Sequence, residues 1–177
     1  MADLLRAWAW LANIVTLLAV ITPAIATAGE TGRLSSPVDE LVLEVHGAIA
    51  QTNVDGAAFF DLAMLKALPP VELRTTTAVT DGVRRFDGFL MRDLLELVGA
   101  SGSVVTATAF NDYVIDVDVD EFHRFDVVVA YAMDGQPLLA SDKGPLWIVY
   151  PRDQHAELQD IRYDYRWVWQ LSRLDVR

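Results

Sequence analysis

The sequence contains no cysteine. Disulfides, zinc–thiolate sites and thiol nucleophiles are therefore unavailable to it. Histidine is nearly as scarce. His46, His123 and His155 are the three present, far apart and without H-x-x-x-H spacing, which gives a histidine metal site little to build on. Basic residues are in deficit, 14 against 25 acidic ones, for a net charge of −11. A surface of that sign repels phosphate backbones and argues against a nucleic-acid partner. There is no G-x-G-x-x-G or Walker motif to cradle a dinucleotide or NTP, and no serine in a G-x-S-x-G elbow. No apolar run reaches the ~20 residues that a membrane span needs. The closest, residues 11–21, is interrupted only by Asn13 and Thr16. Arg6 precedes it, and Pro23 and the tracts Ala24-Ile25-Ala26 and Ala26-Thr27-Ala28 follow, which together describe a secretory signal peptide. An uncleaved N-terminal anchor, lengthened by residues 7–10, is the competing reading. Cleavage after Ala28 or Ala26 is the expectation adopted. It divides the chain into a signal peptide at 1–28, a polar linker at 29–37 and one domain at 38–177.

What remains reads as a strand-rich α+β domain. Residues 38–47 alternate, with Leu41, Leu43 and Val45 on one face. A short helix is expected over 59–68, with Phe59, Leu62, Ala63 and Leu65 inward and Pro69-Pro70 ending it. Residues 71–79 (VELRTTTAV) are β-branched and strand-like, followed by a turn at Asp81-Gly82. The strongest helix pattern is 90–98 (LMRDLLELV), stopped by Gly99. Two hairpins follow, one about Asn111-Asp112 and one about Asp134-Gly135. A buried strand at 146–150 and a closing strand at 166–176 complete the pattern, the latter alternating Trp167, Trp169, Leu171 and Leu174.

Several constellations test as ordinary structure. Asp116, Asp118 and Asp120 resemble the opening of a calcium loop, but Glu121 and Val127 stand where such a loop needs glycine and glutamate, so a solvated strand face explains them. Trp167, Trp169, Tyr163 and Tyr165 cluster near the C-terminus, where packing is the commoner role for aromatics at strand spacing. Three loops carry less ordinary chemistry: Thr75-Thr76-Thr77-Ala78-Val79-Thr80, Phe110-Asn111-Asp112-Tyr113, and Asp142-Lys143-Gly144-Pro145 leading to Trp147. In the last of these a cation, a close-approach glycine and a turn-fixing proline sit directly ahead of a strand. Hydroxyls, an amide, carboxylates, one cation and aromatic faces are the mixture that a flat polar heterobicycle such as a pterin requires, although other polar ligands fit the composition equally well.

The tracts Leu73-Arg74-Thr75-Thr76-Thr77, Phe86-Asp87-Gly88-Phe89-Leu90-Met91-Arg92-Asp93-Leu94-Leu95, Ala109-Phe110-Asn111-Asp112-Tyr113, Asp142-Lys143-Gly144-Pro145-Leu146-Trp147-Ile148-Val149-Tyr150-Pro151 and Arg166-Trp167-Val168-Trp169-Gln170-Leu171 occur in order over residues 38–177. In that arrangement the sequence resembles the sulfite-oxidase-type molybdopterin-binding domain, and more closely its small exported, cysteine-free relatives. The resemblance implies a sulfite-oxidase-like α+β fold of mixed sheets with a few short helices. The family's molybdenum enzymes carry a cysteine ligand after the strand that matches 71–77, where this sequence has Thr77-Ala78-Val79. The resemblance therefore implies a pterin-binding shell, holding a reduced or molybdopterin-like pterin with no metal and no catalytic residue. The exported relatives look like periplasmic regulators of a membrane-bound cyclic-di-GMP enzyme, so the partner expected is the periplasmic region of such a protein. On this reading Thr76, Thr77, Ala78 and Val79 form one wall of the pterin site, and Asn111 and Asp112 read its polar edge. Tyr113 or Trp147 covers a ring face, and Lys143, with Gly144 and Pro145, orients a carbonyl or an anionic tail. The alternative is a molybdopterin-dependent oxidoreductase that uses no cysteine ligand.

Overall fold

The structure, a computed structural model, describes residues 34–177. The signal-peptide reading of 1–28 lies outside the described residues, as does most of the linker. Residues that do fall inside it are tied down: Leu34 packs against the core, and the Ser35 carbonyl accepts from Asn53 Nδ2 at 2.9 Å.

In chain order the elements are β1 (Leu41–Gly47), β2 (Ala58–Asp61), α1 (Leu62–Lys66), β3 (Val71–Thr77), β4 (Thr80–Leu90), α2 (Met91–Leu97), β5 (Val104–Ala109), β6 (Val114–Asp118), α3 (Val119–Arg124), β7 (Val128–Met133), β8 (Gln136–Pro137), β9 (Trp147–Val149), α4 (Ile161–Asp164) and β10 (Leu171–Val176), with a 3₁₀ turn at Ala156–Gln159 before α4. They build two sheets. The first runs β2-β1-β10-β5-β6, with β1 and β10 parallel and the other pairs antiparallel. The second runs β3-β4-β7-β8, with β9 also paired to β7. Alternate residues of both sheets enter one core that includes Leu43, Val45, Phe60, Phe86, Phe89, Trp147 and Leu174. Among the described residues no helix is long and apolar enough to cross a membrane.

Local chemistry explains most boundaries, including those that depart from expectation. The helix expected over 59–68 is shorter, because residues 58–61 are strand. Asn53 holds the Phe59 backbone by accepting from its N–H and donating to its carbonyl, both at 2.8 Å. The Asp61 carboxylate then caps α1 by accepting from Met64 N at 2.8 Å and ties in the preceding chain through Val38 N at 2.9 Å. Ala63 is exposed rather than inward. The β3–β4 hairpin turns at Ala78-Val79, not at Asp81-Gly82. The latter lies within β4, where Gly82 takes a φ of +66° and the register shifts. The closing strand is only Leu171–Val176. Gln170, at a φ of +52°, breaks it from 165–169, which stays irregular apart from a bridge between Trp147 and Trp169. The helix over 90–98, the hairpins and the buried 146–150 segment are close to their expected places.

Candidate functional site

The break at Gln170 matters because it leaves 165–169, with Asp164 at the end of α4, to wall a cleft. Asp164, Tyr165, Trp167 and Trp169 line one side and Asn111 and Tyr113 the other, around a cavity of about 160 Å³. That is smaller than the roughly 300–1,000 Å³ of drug-sized ligand pockets, so an occupant would be small or only partly enclosed. The two sides are strapped together where the Tyr113 hydroxyl donates to the Tyr165 carbonyl at 2.6 Å. Burial pushes the Tyr113 phenol pKa up and the neighbouring Tyr165 adds to it, so Tyr113 stays a neutral donor. Below the strap, Asp112 occupies a φ of +63°, and Asn111 Oδ1 accepts from Tyr113 N at 3.1 Å. This is the left-handed turn chemistry at which Asn and Asp are tolerated.

Two polar atoms of the cleft residues have nothing to bond. Trp167 is 3% exposed. Its Nε1, like Asp164 Oδ1, is shielded from solvent and has no hydrogen-bond partner among the described residues. A buried donor or acceptor left unpaired typically costs about 1–3 kcal/mol, so such atoms call for an explanation. Between them in sequence, Arg166 is drawn to Glu121 in an ion pair and lies 4.9 Å from the Tyr163 ring centroid. Burial lowers the Arg166 pKa, with Asp118 acting against that shift. The Tyr150 hydroxyl adds a 3.4 Å bond to the same glutamate. This network fixes the segment from which the cleft residues project.

The residues singled out from the sequence divide between this region and elsewhere. Asn111 and Tyr113 line the cleft, whereas Asp112 lines a separate groove with Phe110 and Arg173. The 143–147 segment lies next door. Lys143 O accepts from Gln170 N at 2.9 Å, and Gln170 O accepts from Phe110 N at 3.0 Å, so one residue joins the two loops. Lys143 Nζ is paired with Asp142 at 2.8 Å and lies 5.8 Å from the Trp147 ring centroid. Gly144 is required for packing, since a Cβ there would meet Leu138 O at 2.1 Å. Pro145 follows it as a cis proline. Trp147 is fully buried behind the cleft wall, edge-on to Phe86 at 5.3 Å and 6.4 Å from Trp167.

The third segment is not among the cleft residues. Thr76 donates from its N and Oγ1 to the Asp153 carboxylate at 2.7 and 2.6 Å, and Asp153 N returns a bond to Thr75 Oγ1 at 3.1 Å. The Thr77 and Thr80 hydroxyls bond each other at 2.8 Å, and Val79 N donates to Thr77 Oγ1 at 3.1 Å. Ala78 and Val79 form the exposed tip. Sequence reasoning passed over Asp164 and assigned Tyr165, Trp167 and Trp169 to packing. Tyr165, Trp167, Trp169 and Leu171 alternate without interruption, so the sequence carries no local signal that this stretch walls a cleft.

One mixed and one antiparallel sheet, carrying a loop-lined, largely aromatic cleft, define a strand-rich α+β domain with room for a small flat ligand. The chain belongs to the oxidoreductase molybdopterin binding domain family, whose model matches residues 35–156. The sulfite-oxidase-like α+β fold is thus the one present. No curated protein matches the chain. The matched span includes Asn111, Tyr113 and Lys143, while Asp164, Tyr165, Trp167 and Trp169 lie beyond it.

The family implies a molybdopterin, and the two halves of that group fare differently. The metal half does not fit. The sequence has no cysteine, Thr77-Ala78-Val79 follow β3, and among the described residues no three His, Asp or Glu side chains converge. The soft thiolate that molybdenum prefers is missing. Lys143 is paired with Asp142 and Arg166 with Glu121, so both of these cations are engaged before any phosphate tail arrives. The pterin half fits better: aromatic walls and the polar side chains of Asn111 and Asp164 occur together in the cleft lining.

Proposed function

We propose that this protein is an exported, non-catalytic pterin-binding module that regulates a membrane-bound signalling enzyme of the cyclic-di-GMP type from the periplasmic side. One observation carries the ligand: a cleft in which the rings of Tyr113, Tyr165, Trp167 and Trp169 stand beside the polar side chains of Asn111 and Asp164. The complete absence of cysteine supports binding without protein-ligated molybdenum chemistry. For the regulatory half, the support is the rim. Phe110 is 57%, Val114 55% and Tyr165 60% exposed around the strap between Tyr113 and Tyr165. Apolar residues at the mouth of a ligand site offer a partner a surface whose shape changes when the ligand enters.

The test uses the purified mature protein. Reduced and oxidised pterins are titrated while tryptophan fluorescence and melting temperature are followed. Saturable quenching with a rise in melting temperature at micromolar pterin is expected, because a ligand that binds only the folded state stabilises it. No response at high micromolar concentrations overturns the reading. Stoichiometric molybdenum in protein made by a cofactor-competent host would favour the oxidoreductase alternative instead.

A further inference from the structure

We infer that the groove beside the first residues of β1 takes an extended peptide segment of a partner protein, laid along the free edge of that strand with a lysine or arginine set against Asp112. This does not depend on what the cleft beside α4 binds, because the two depressions share no lining residue.

The first sheet is incompletely paired at this point. β2 runs beside β1 from Leu41 to Val45, but β10 joins the other edge of β1 only from Glu44, opposite Arg173. Along residues 41–43 that second edge has no strand beside it, and Val42 pairs with no residue in either ladder. The cause lies at the start of β10. Its register against β5 shifts between Leu171 and Arg173, where the Ser172 hydroxyl donates to Thr108 O at 3.1 Å. Leu171 N donates to Leu146 O at 3.0 Å, so the chain is drawn toward the second sheet before it can follow β1 further.

A groove of about 300 Å³ lies there, lined by residues 41–44 on one side and by Phe110 and Asp112 of the β5–β6 turn on the other. A depression on one face of a sheet meets alternate residues of a strand, since successive side chains point to opposite faces. Four consecutive residues of β1 therefore mark a groove that follows the edge. At about 3.3 Å per residue it extends roughly 10 Å, enough for a few residues of extended chain. Such edges bind peptides through main-chain hydrogen bonds, while flanking side chains supply selectivity.

The flanks favour a segment that is apolar and basic. Leu41 is 42% and Phe110 57% exposed. Glu44 is paired with His46 and Arg173 with Asp175. Asp112 is exposed and has no ion-pair partner among the described residues, which leaves it to a cation of the peptide. The net charge of −11 attracts a basic segment and opposes a second copy of this chain.

The probe is a displayed library of short random peptides, selected against the mature chain and then resynthesised. Selected sequences are expected to combine β-branched or aromatic residues with a lysine or arginine. Hydrogen exchange followed by NMR should show the amides of residues 41–43 slowed by the best peptide. Asp112→Asn keeps a residue tolerated at a φ of +63° and should weaken that peptide by about two- to fivefold, the size of an exposed ion pair. Replacing the basic residue of the peptide by alanine should cost the same factor on the wild type and nothing further on the variant. The inference is overturned if no selected sequence binds, if the bound peptide protects amides elsewhere, or if the two substitutions act additively. Self-association in sedimentation that protects residues 41–43 without peptide overturns it too, by giving the groove to a second copy. A pterin titration of the same sample reports on the cleft separately, so its failure leaves this inference standing.

Discussion

The turn between β3 and β4 and the cleft beside α4 are both rich in polar groups, yet they differ in whether those groups are already engaged. At the turn, Thr76 is held by Asp153, Thr77 by Thr80, and Val79 N by Thr77. At the cleft, Asp164 Oδ1 and Trp167 Nε1 are shielded and have no partner among the described residues. By resemblance the turn is where the family's enzymes place a metal-ligating cysteine. Here its hydroxyls close on the protein itself, which stabilises a hairpin and leaves little for a ligand. The lesson is that a polar side chain is available for recognition only when folding has not already satisfied it.

The contrast can be broken or sharpened by substitution. The largest effect is expected for Trp147→Ala, which removes a fully buried side chain packed on Phe86 and Trp167. Urea denaturation should show a loss of about 3–5 kcal/mol, with the pterin response reduced because the cleft wall loses its backing. Asp153→Ala opens the clasp on β3 and should cost about 1–2 kcal/mol in the same measurement. Pterin affinity should stay at the wild-type value. A large loss of affinity would return the turn to the binding site.

Acid titration offers a reference outside both regions. Backbone N–H bonds to the Asp61 carboxylate, from Met64 first and Val38 next, hold its pKa below the ordinary 3.8. A carboxylate with a depressed folded-state pKa contributes stability that is present above the unfolded value and lost as pH falls through the folded one. Stability of the wild type should therefore decline below about pH 4. Asp61→Asn should flatten that limb, as measured by denaturant midpoints at stepped pH. The smallest effect belongs to Val79→Ala at the exposed hairpin tip, within about 0.5 kcal/mol in stability and without change in pterin affinity.

Much of the fold was legible in the sequence. Residues 90–98 carry an apolar stripe ended by Gly99, and α2 lies at Met91–Leu97 with Gly99 at a φ of +61°. Asp134-Gly135 marks a hairpin whose two central residues both have positive φ. The β3–β4 turn was misplaced because Asp81-Gly82 is the stronger turn signal locally. Pairing of Thr77 with Thr80 instead forces the reversal at Ala78-Val79 and leaves Gly82 to a bulge. The closing strand was overextended for a similar reason. The alternating tryptophans suggest a strand, but Gln170 bonds to the 140–145 loop through Lys143 O and Ala140 O and redirects the chain.

The candidate site was half legible. Asn111 and Tyr113 stood out as a turn rich in ligand-reading chemistry, and both line the cleft. Asp164 was invisible because one carboxylate among many acidic residues has no local mark. Only the fold brings it into the cleft lining beside Trp167 and Trp169.

The sequence by itself determined the chemistry on offer: no thiolate, few cations, a strand-rich pattern and a family resemblance carried by ordered tracts. Only the tertiary structure decided which of those groups are spent on the fold and which remain unpaired. Side-chain type and spacing are local properties, but hydrogen-bond satisfaction depends on neighbours far away in the chain, such as Asp153 for Thr76 and Tyr165 for Tyr113.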